Sequence, residues 1–430
     1  MVKLHRAVFE NDIKLLSSLI KQEDVNEKDK FGNTALHLAV MLGRKECIQL
    51  LLAHGARVKI KNDEGWTVLC EALSYGDRTI ITSVYRKLRQ QMKEKSLKRR
   101  SSIVKALNSI EDFEMELKWD FHTWVPILSH ILPSDVCRIM KKGTKIRVDT
   151  TIGEVTDVRF SRGEYSFLFD LEGNAGERAI IVDRKKQKYR YIDAQVSEGD
   201  VEDTVDELMR ADIACAQMST KNMQFERAQR GFFWKEDKKE TIGSYECDIY
   251  SIQGLTLEIK RRQEHLSAEE LNRNNALIDG LNTGEPELIE ESVGDEPRKC
   301  SLAPPPTTDL TFEKYLNSTS MPVLGRKHKA SSSSKSFKPT VAMAESFPLS
   351  LETLLSILEA VAPVRHTEKL RKIVKLKLPP GFPVKIDVPI WPTVTARVTF
   401  QDFKFSNTLS CSDFDIPRFY TKDVTMFRMG

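Results

Sequence analysis

A repeat of 33 residues near the N-terminus constrains the fold of this 430-residue chain more than any other feature. The run Gly-Asn-Thr-Ala-Leu-His-Leu-Ala at 32–39 is followed, 33 positions later, by Gly-Trp-Thr-Val-Leu-Cys-Glu-Ala at 65–72. Leu-His-Arg-Ala at 4–7 precedes Leu-His-Leu-Ala at 36–39 by 32 positions. One copy of such a unit cannot bury its apolar face alone, so neighbouring copies must stack.

This spacing is typical of ankyrin repeats, and the middle copy is nearly complete. Leu36 and Ala39 are expected to face inward, Gly43 to end the first helix, and residues 46–53 to form the second helix. We interpret His37 as a hydrogen-bonding residue of the turn and not as a metal or catalytic residue. Residues 1–92 are therefore predicted to be an ankyrin stack, capped by a helical segment from Arg78.

The exposed hairpin tips of an ankyrin stack are candidate partner-binding positions. In this chain they carry Lys30 and Phe31 before the first repeated glycine, and Glu64 and Trp66 around the second. The alternative for Phe31 and Trp66 is packing against the neighbouring domain, and the sequence leaves both interpretations open.

Residues 93–111 are predicted to be a basic helical connector. Five cations lie within eight residues, namely Lys93, Lys95, Lys98, Arg99 and Arg100. Such a patch is able to contact an anionic membrane leaflet, and phosphorylation of Ser101 or Ser102 would weaken that contact. The simpler alternative, a solvated helix face, is favoured.

From residue 112 the apolar period changes from about 3.6 to 2. Phe113, Met115, Leu117 and Trp119 alternate with charged residues, which predicts a half-buried strand. Further strands are expected at 146–150, 155–160, 165–171, 179–183, 189–192, 231–234 and 247–260. Two helices are expected, one over 121–131 and an acidic one over 197–218. Short strands in succession predict that 112–282 is a mainly antiparallel β domain.

Residues 283–345 have the composition of a disordered insert, with an acidic run, three consecutive prolines, a basic run and four serines. Linear-motif or phosphorylation roles are alternatives to a plain linker, which is favoured. Residues 346–430 then carry an amphipathic helix near 351–361 and two strands, at 384–388 and 393–403. Because two strands alone are marginal, this piece is expected to complete the sheet begun at Phe113. The predicted fold class is α+β.

Composition and motifs exclude several classes of function. The net charge of +4 is small for this length, so nucleic acid is not an expected partner. No apolar run reaches the roughly 18–20 residues of a spanning helix, so any membrane contact is expected to be peripheral. Seven scattered cysteines without a Cys-x-x-Cys pair indicate reduced cytosolic thiols. Phosphate-loop, nucleophile-elbow and zinc-helix motifs are absent from the sequence, so we expect no enzyme activity, cofactor, metal or small-molecule substrate.

Several motifs together carry a more specific resemblance. They are Trp-Asp-Phe at 119–121 with Trp-Val-Pro at 124–126, Arg162-Gly163 before Ser-Phe-Leu-Phe at 166–169, Phe-Pro-Leu-Ser-Leu at 347–351, Leu-Pro-Pro-Gly-Phe-Pro-Val-Lys at 378–385 and Ala-Arg-Val-Thr-Phe at 396–400. Combined with the repeats, they resemble the ankyrin repeat domain-containing protein 13 family, which has a chaperone domain for G-protein-coupled receptors. The resemblance covers nearly the whole chain apart from the insert.

Some members of that family are endocytic adaptors with ubiquitin-interacting motifs after this domain. The acidic run at 287–292 has no alanine at the spacing of such a motif, and the sequence ends at Gly430. The chain thus resembles the C-type branch, which implies a chaperone or retention factor for immature receptors, peripheral on the cytosolic face of the endoplasmic reticulum. A ubiquitin-linked trafficking adaptor and a general ankyrin scaffold are the alternatives. Because the sequence begins almost at the first repeat, a missing N-terminal extension is also left open.

Overall fold

The computed structural model describes residues 2–123, 132–156, 159–174, 176–192, 198–231, 235–283, 300–306, 308–361, 378–391, 394–423 and 426. Its N-terminal part is a stack of paired helices: α1 Lys3–Phe9 and α2 Ile13–Leu19, α3 Ala35–Met41 and α4 Lys45–Ala53, α5 Val68–Tyr75 and α6 Arg78–Asn108. Helices α1, α3 and α5 contact one another as an inner row, and α2, α4 and the start of α6 form the outer row. The predicted ankyrin stack is confirmed.

Polar residues cap the N-termini of α5 and α6. Thr67 accepts a hydrogen bond from the backbone of Cys70, and Asp77 accepts from Thr79 and Ile80, so both residues cap helix N-termini. Between α5 and α6 the chain reverses at Gly76, whose φ of 84° is in the left-handed region. The 33-residue period therefore arises from caps and glycine turns as well as from apolar spacing.

Helix α6 joins the two parts of the molecule. Its first half buries Ile80, Ile81 and Val84 in the stack, and its last turns bury Ile103 and Leu107 in the core of the β domain. The predicted cap and the predicted basic connector thus form one continuous helix as far as Asn108.

Eighteen strands are described after α6, and their bounds are as follows. They are β1 Phe113–Thr123, β2 Ser134–Lys142, β3 Lys145–Thr156, β4 Arg159–Asp170, β5 Ala179–Asp183, β6 Lys188–Tyr191, β7 Ile213–Ser219, β8 Gln224–Arg227, β9 Gln229–Arg230, β10 Glu236–Asp237, β11 Lys239–Ile242, β12 Tyr245–Gln253, β13 Leu255–Arg262, β14 Ala330–Phe337, β15 Thr340–Ala344, β16 Phe382–Trp391, β17 Val394–Phe405 and β18 Thr421–Lys422. The further described helices are α7 Glu198–Arg210, α8 Ala268–Thr283, α9 Phe312–Asn317 and α10 Leu351–Val361, with a 3-10 turn at Cys411–Phe414.

Thirteen of these strands form one large sheet, in the order β11-β12-β15-β16-β17-β1-β2-β3-β4-β5-β6-β18 with β8 also on β12. All its pairings are antiparallel except that of β6 with β18. Strand β1 lies between β17 and β2. The prediction that the C-terminal strands complete the sheet begun at Phe113 is therefore confirmed.

The core of the large sheet is aromatic. Phe347 stacks on Phe382 with ring centroids 4.2 Å apart, and Phe113 stacks on Phe403 at 5.3 Å. Helix α10 covers this core and contacts α6. The amphipathic helix predicted near 351–361 is thus confirmed, and it packs on the β domain.

A two-stranded ribbon connects the large sheet to a small sheet, which has the order β14-β13-β7. Strands β12 and β15 pair in the large sheet, and the same two chain segments continue as β13 and β14 in the small one. The ribbon bends at Gly254, where φ is 72° and a Cβ atom would lie 1.9 Å from the carbonyl oxygen of Asn222. Only glycine fits this bend without a rearrangement.

The prediction of a disordered insert over 283–345 is wrong for its described part, 300–306 and 308–345. This part contains α9, β14 and β15, and it buries Phe312, Tyr315 and Leu324 against the ankyrin stack. Composition missed this order because a polar segment without a core of its own still folds when another part of the chain supplies the apolar surface. Residues 284–299 and 307 lie outside the described residues.

Two predicted helices also need correction. Residues 121–123 of the predicted helix over 121–131 continue strand β1, and 124–131 lie outside the described residues. The acidic helix predicted over 197–218 ends at Arg210, and the chain continues as strand β7 from Ile213. Of the strand predicted at 231–234, residues 232–234 are likewise outside the described part. Among the described helices, none is both long and apolar enough to cross a membrane.

Candidate functional site

The concave face of the ankyrin stack is the candidate interaction site, and hydrogen bonds hold its hairpin tips in place. Asp29 accepts from the backbone nitrogens of Phe31 and Asn33, and Asn62 accepts from that of Trp66, each at 2.9 Å. Asn62 also donates to the side chain of Asn33 at 3.1 Å, which ties the two tips together. The tips are therefore a rigid edge along the inner row of helices.

His37 fixes the tips from below, as the sequence predicted. Its Nδ1 accepts from the backbone nitrogen of Thr34 at 3.2 Å, so its Nε2 carries the proton and donates to the carbonyl oxygen of Trp66 at 3.3 Å. Burial lowers the pKa of His37 to about 4, so the ring is neutral near pH 7. This imidazole is structural.

A segment that comes about 300 residues after the first repeat lies along this concave face. We call residues 300–306 and 308–329 the strap. Its helix α9 places Phe312 against Phe9, with ring centroids 5.5 Å apart, and Tyr315 edge-on to Phe31 at 5.1 Å. Phe312 and Tyr315 share one apolar core with the stack.

The phenol of Tyr315 makes the central polar contact of the strap. It donates to Asp29 at 2.5 Å and accepts from the side-chain amide of Asn33 at 3.1 Å. Burial, together with the charge of Asp29, raises the pKa of Tyr315. The phenol therefore remains a neutral donor that satisfies a buried carboxylate.

The extended part of the strap crosses the ends of the inner helices. Lys30 donates to the carbonyl oxygen of Ser318 at 2.7 Å, and Leu324 is buried. Arg326 donates to the carbonyl oxygens of Ser74 and Tyr75 at 3.1 and 3.4 Å. These carbonyls end α5, where a helix favours a cation.

A buried ionic cluster attaches the small sheet to the stack. The side chain of Arg262, in β13, is 0% exposed and donates to both carboxylate oxygens of Glu71 at 2.8 and 3.1 Å. Glu264 accepts from Arg262 at 2.8 Å and from Ser74 at 2.6 Å. Burial alone would raise the pKa of Glu264, but the charge of Arg262 and these hydrogen bonds outweigh it and lower that pKa to about 2.

The hairpin-tip residues named from the sequence differ in their surroundings. Trp66 is 3% exposed beneath the guanidinium of Arg262, 5.1 Å from its ring, and Phe31 is half-buried against Tyr315. Lys30 stays exposed while it bonds the strap, and the side chain of Glu64 is 44% exposed. For Phe31 and Trp66 the structure thus shows packing against neighbouring segments; partner binding by the four residues stays a prediction.

The basic patch lies on the second half of α6. Lys93, Lys95 and Lys98 are exposed, and Leu97 between them is 47% exposed. The remaining two predicted cations, Arg99 and Arg100, are half-buried, and Arg100 donates to the carbonyl oxygen of Leu171. The exposed lysines share this helix segment with an exposed apolar side chain.

The described structure does not indicate a reactive thiol at Cys137 or a metal site. Cys137 follows His122 and His130 in the sequence, and burial raises the pKa of its thiol to about 11. One of those histidines, His130, lies outside the described residues. Within the described ranges, no group of three or more His, Cys, Asp or Glu side chains is placed to hold a metal ion.

The strap is what sequence reasoning missed. Its signal is an aromatic pair three residues apart, followed by Leu-Gly-Arg at 324–326, inside an otherwise polar segment. Three residues apart is one helical turn, so this pair was a sign of one amphipathic turn within the polar segment.

Comparisons with known proteins cover both parts of the chain. Residues 4–93 match the family described as ankyrin repeats in three copies, and residues 147–416 match the family described as ANKRD13 C-terminal. The chain is 47% identical to ankyrin repeat domain-containing protein 13C of Mus musculus and of Homo sapiens, over 99% of this chain and 78% of each relative. It is 32% identical to ankyrin repeat domain-containing protein 13B of Mus musculus, over 92% of this chain and 66% of that relative.

Proposed function

The chain belongs to the ankyrin repeat domain-containing protein 13 family, and we propose that it is a chaperone or retention factor for immature G-protein-coupled receptors. In this role it binds receptor segments exposed at the cytosolic face of the endoplasmic reticulum and regulates receptor biogenesis and exit. The observation that carries the proposal is its similarity to protein 13C over 99% of the chain, because the C-type branch is the one whose resemblance implied this role.

The same proposal makes the protein a stoichiometric holder and not an enzyme. Ankyrin stacks generally bind other polypeptides through extended surfaces, which supports a binding role. The high pKa of the Cys137 thiol, raised to about 11 by burial, argues against a ready nucleophile there. A holder needs no nucleotide, cofactor or small-molecule substrate.

We further propose that the basic patch on α6 makes the peripheral contact with the membrane. Lysines near an anionic leaflet contribute up to about 1 kcal/mol each, and an adjacent exposed leucine adds apolar contact. Lys93, Lys95 and Lys98 are exposed on one helix segment beside Leu97, which supports this membrane contact.

Recovery of receptors from cells tests the chaperone proposal. The full chain is co-expressed with an epitope-tagged receptor, crosslinked and purified, and the recovered receptor is digested with endoglycosidase H. We expect strong enrichment of the immature, digestion-sensitive form over the mature form. Equal recovery of both forms, or none above an unrelated ankyrin protein, would contradict the role, and specific retention on immobilised ubiquitin would favour the adaptor alternative.

Sedimentation with vesicles tests the basic patch. Changing Lys93, Lys95 and Lys98 to alanine should weaken binding to phosphatidylserine-containing vesicles at least tenfold at low salt, with little effect on neutral vesicles. The matched control changes the exposed lysines Lys14, Lys21 and Lys221 instead. Equal losses in the two triple variants would show that general charge, and not this patch, is responsible.

A further inference from the structure

The concave face of the ankyrin stack is the surface such repeats use for partner segments, and here the strap occupies it. The strap contacts all three helices of the inner row, through Phe9 of α1, the Met41 carbonyl of α3, and Ser74 and Tyr75 of α5. It therefore lies where a partner segment would lie.

The anchors of the strap define a chemical pattern. Phe312 and Tyr315 fill the apolar part of the groove from one helical turn, and only Tyr315 has the hydroxyl that satisfies both Asp29 and Asn33. A phenylalanine there would leave the buried carboxylate with one partner fewer, which costs free energy.

The second half of the pattern is Leu-Gly-Arg. Leu324 is buried, and a Cβ atom on Gly325 would lie 2.9 Å from the Met41 carbonyl oxygen, so close backbone approach requires glycine. Arg326 then donates to the carbonyls that end α5. Aromatic anchors, a small residue and a cation thus engage three different parts of the groove.

The strap is held as a ligand is held, by separate anchors. Apart from the six residues of α9, its described residues form no helix or strand. Between anchors Val323 is 56% exposed, and a small cleft opens there between the strap and Met41, Ser74 and Tyr75 of the stack. Beneath it the stack has its own core of inner-row side chains such as Leu36, Leu38 and Ala39, each fully buried. Segments held in this way open at lower free energy than the elements beneath them.

We propose that the concave face is a groove for partner segments of the pattern Phe-x-x-Tyr followed, after eight residues, by Leu-Gly-Arg, and that the strap is its resident competitor. A tethered segment has an effective concentration of the order of millimolar, so it outcompetes a free segment of similar affinity. A partner binds when the affinity of its segment is high enough to displace the strap, or when the strap is released. The inference goes beyond the receptor proposal, since its test uses no receptor.

A labelled peptide of residues 308–329 provides the test. Its affinity is measured by fluorescence anisotropy for the full wild-type chain and for the full chain with Phe312→Ala and Tyr315→Ala, whose strap is weakened. We expect the double variant to bind the peptide at least tenfold more tightly than the wild type does. Peptide carrying Tyr315→Ala should lose at least tenfold in affinity for the same variant, and Val323→Ala protein, changed at an exposed position, should behave as wild type.

The proposal would be overturned if the peptide bound the wild type and the folded double variant with equal affinity, or if it bound neither. Hydrogen exchange on the wild-type chain decides the matter if the double variant does not fold. Backbone amides of α9 should then exchange at least tenfold faster than those of α3 and α5. Exchange of all three helices in one joint opening would show that the strap is a permanent part of the core and would equally overturn the groove.

Discussion

The buried cluster around Arg262 yields the sharpest prediction, for the change Glu71→Gln. The guanidinium is 0% exposed and both oxygens of Glu71 accept from it, and among the described residues its ion-pair partners are Glu71 and Glu264. Removing one partner of a buried pair costs about 3–5 kcal/mol, and glutamine keeps one acceptor oxygen. We therefore expect the free energy of unfolding to fall by about 2–4 kcal/mol.

The assay follows from the location of the pair. Glu71 is in α5 and Arg262 in β13, so the loss should appear as faster hydrogen exchange in α5 as well as a lower urea midpoint. Glu64→Gln is the matched control, because its side chain is 44% exposed and should change stability by less than about 0.5 kcal/mol. If Glu71→Gln stays within about 0.5 kcal/mol of the wild type, the reasoning from buried charge is refuted.

Three further changes test other parts of the fold by urea unfolding. Because the folded state holds the pKa of His37 near 4 while the unfolded state titrates near 6.5, stability should fall by about 2 kcal/mol from pH 7.5 to pH 5, and His37→Asn should flatten that dependence. Gly43→Ala should lower the free energy of unfolding by about 3 kcal/mol, since φ is 66° and the new Cβ would lie 2.1 Å from the Tyr75 hydroxyl. Gly65→Ala, with φ 94° and open space around it, should lower it by about 1 kcal/mol. Equal losses would contradict the steric argument. Phe347→Ala should lower the free energy of unfolding by about 3–5 kcal/mol. The control Phe419→Ala, at a side chain that is 66% exposed, should lower it by less than about 0.5 kcal/mol. A small loss at Phe347 would show that the aromatic core repacks.

Local patterns were enough to predict the elements whose contacts lie nearby in sequence. The ankyrin repeats follow from glycine, leucine and alanine at fixed spacing, because each helix packs on the next copy. Strand β1 follows from Phe113 and Met115, which alternate with charged residues and enter the core. The closing of the sheet by the C-terminal strands followed from the instability of two strands alone.

Several other contacts between distant segments were beyond this reasoning. For Trp66 the sequence left exposure at the tip and packing both open, because Arg262, which covers it, comes about 200 positions later. The four serines at 331–334 carry no apolar pattern, yet they form β14 because backbone hydrogen bonds to β13 require no particular side chain. The strap was missed for a similar reason. Composition indicates only whether a segment can bury a core of its own, and the few anchor residues of the strap do not change that composition.

The strap comes late in the sequence, and this has a consequence for biosynthesis. The repeats end near Val84, but Leu324 leaves the ribosome about 240 residues later, which takes roughly 10–50 s at 5–20 residues per second. Until Phe312 and Tyr315 have emerged, the nascent stack presents Phe9 and Phe31 without them. Each newly made molecule therefore passes through a period in which its groove is open to whatever lies beside the ribosome.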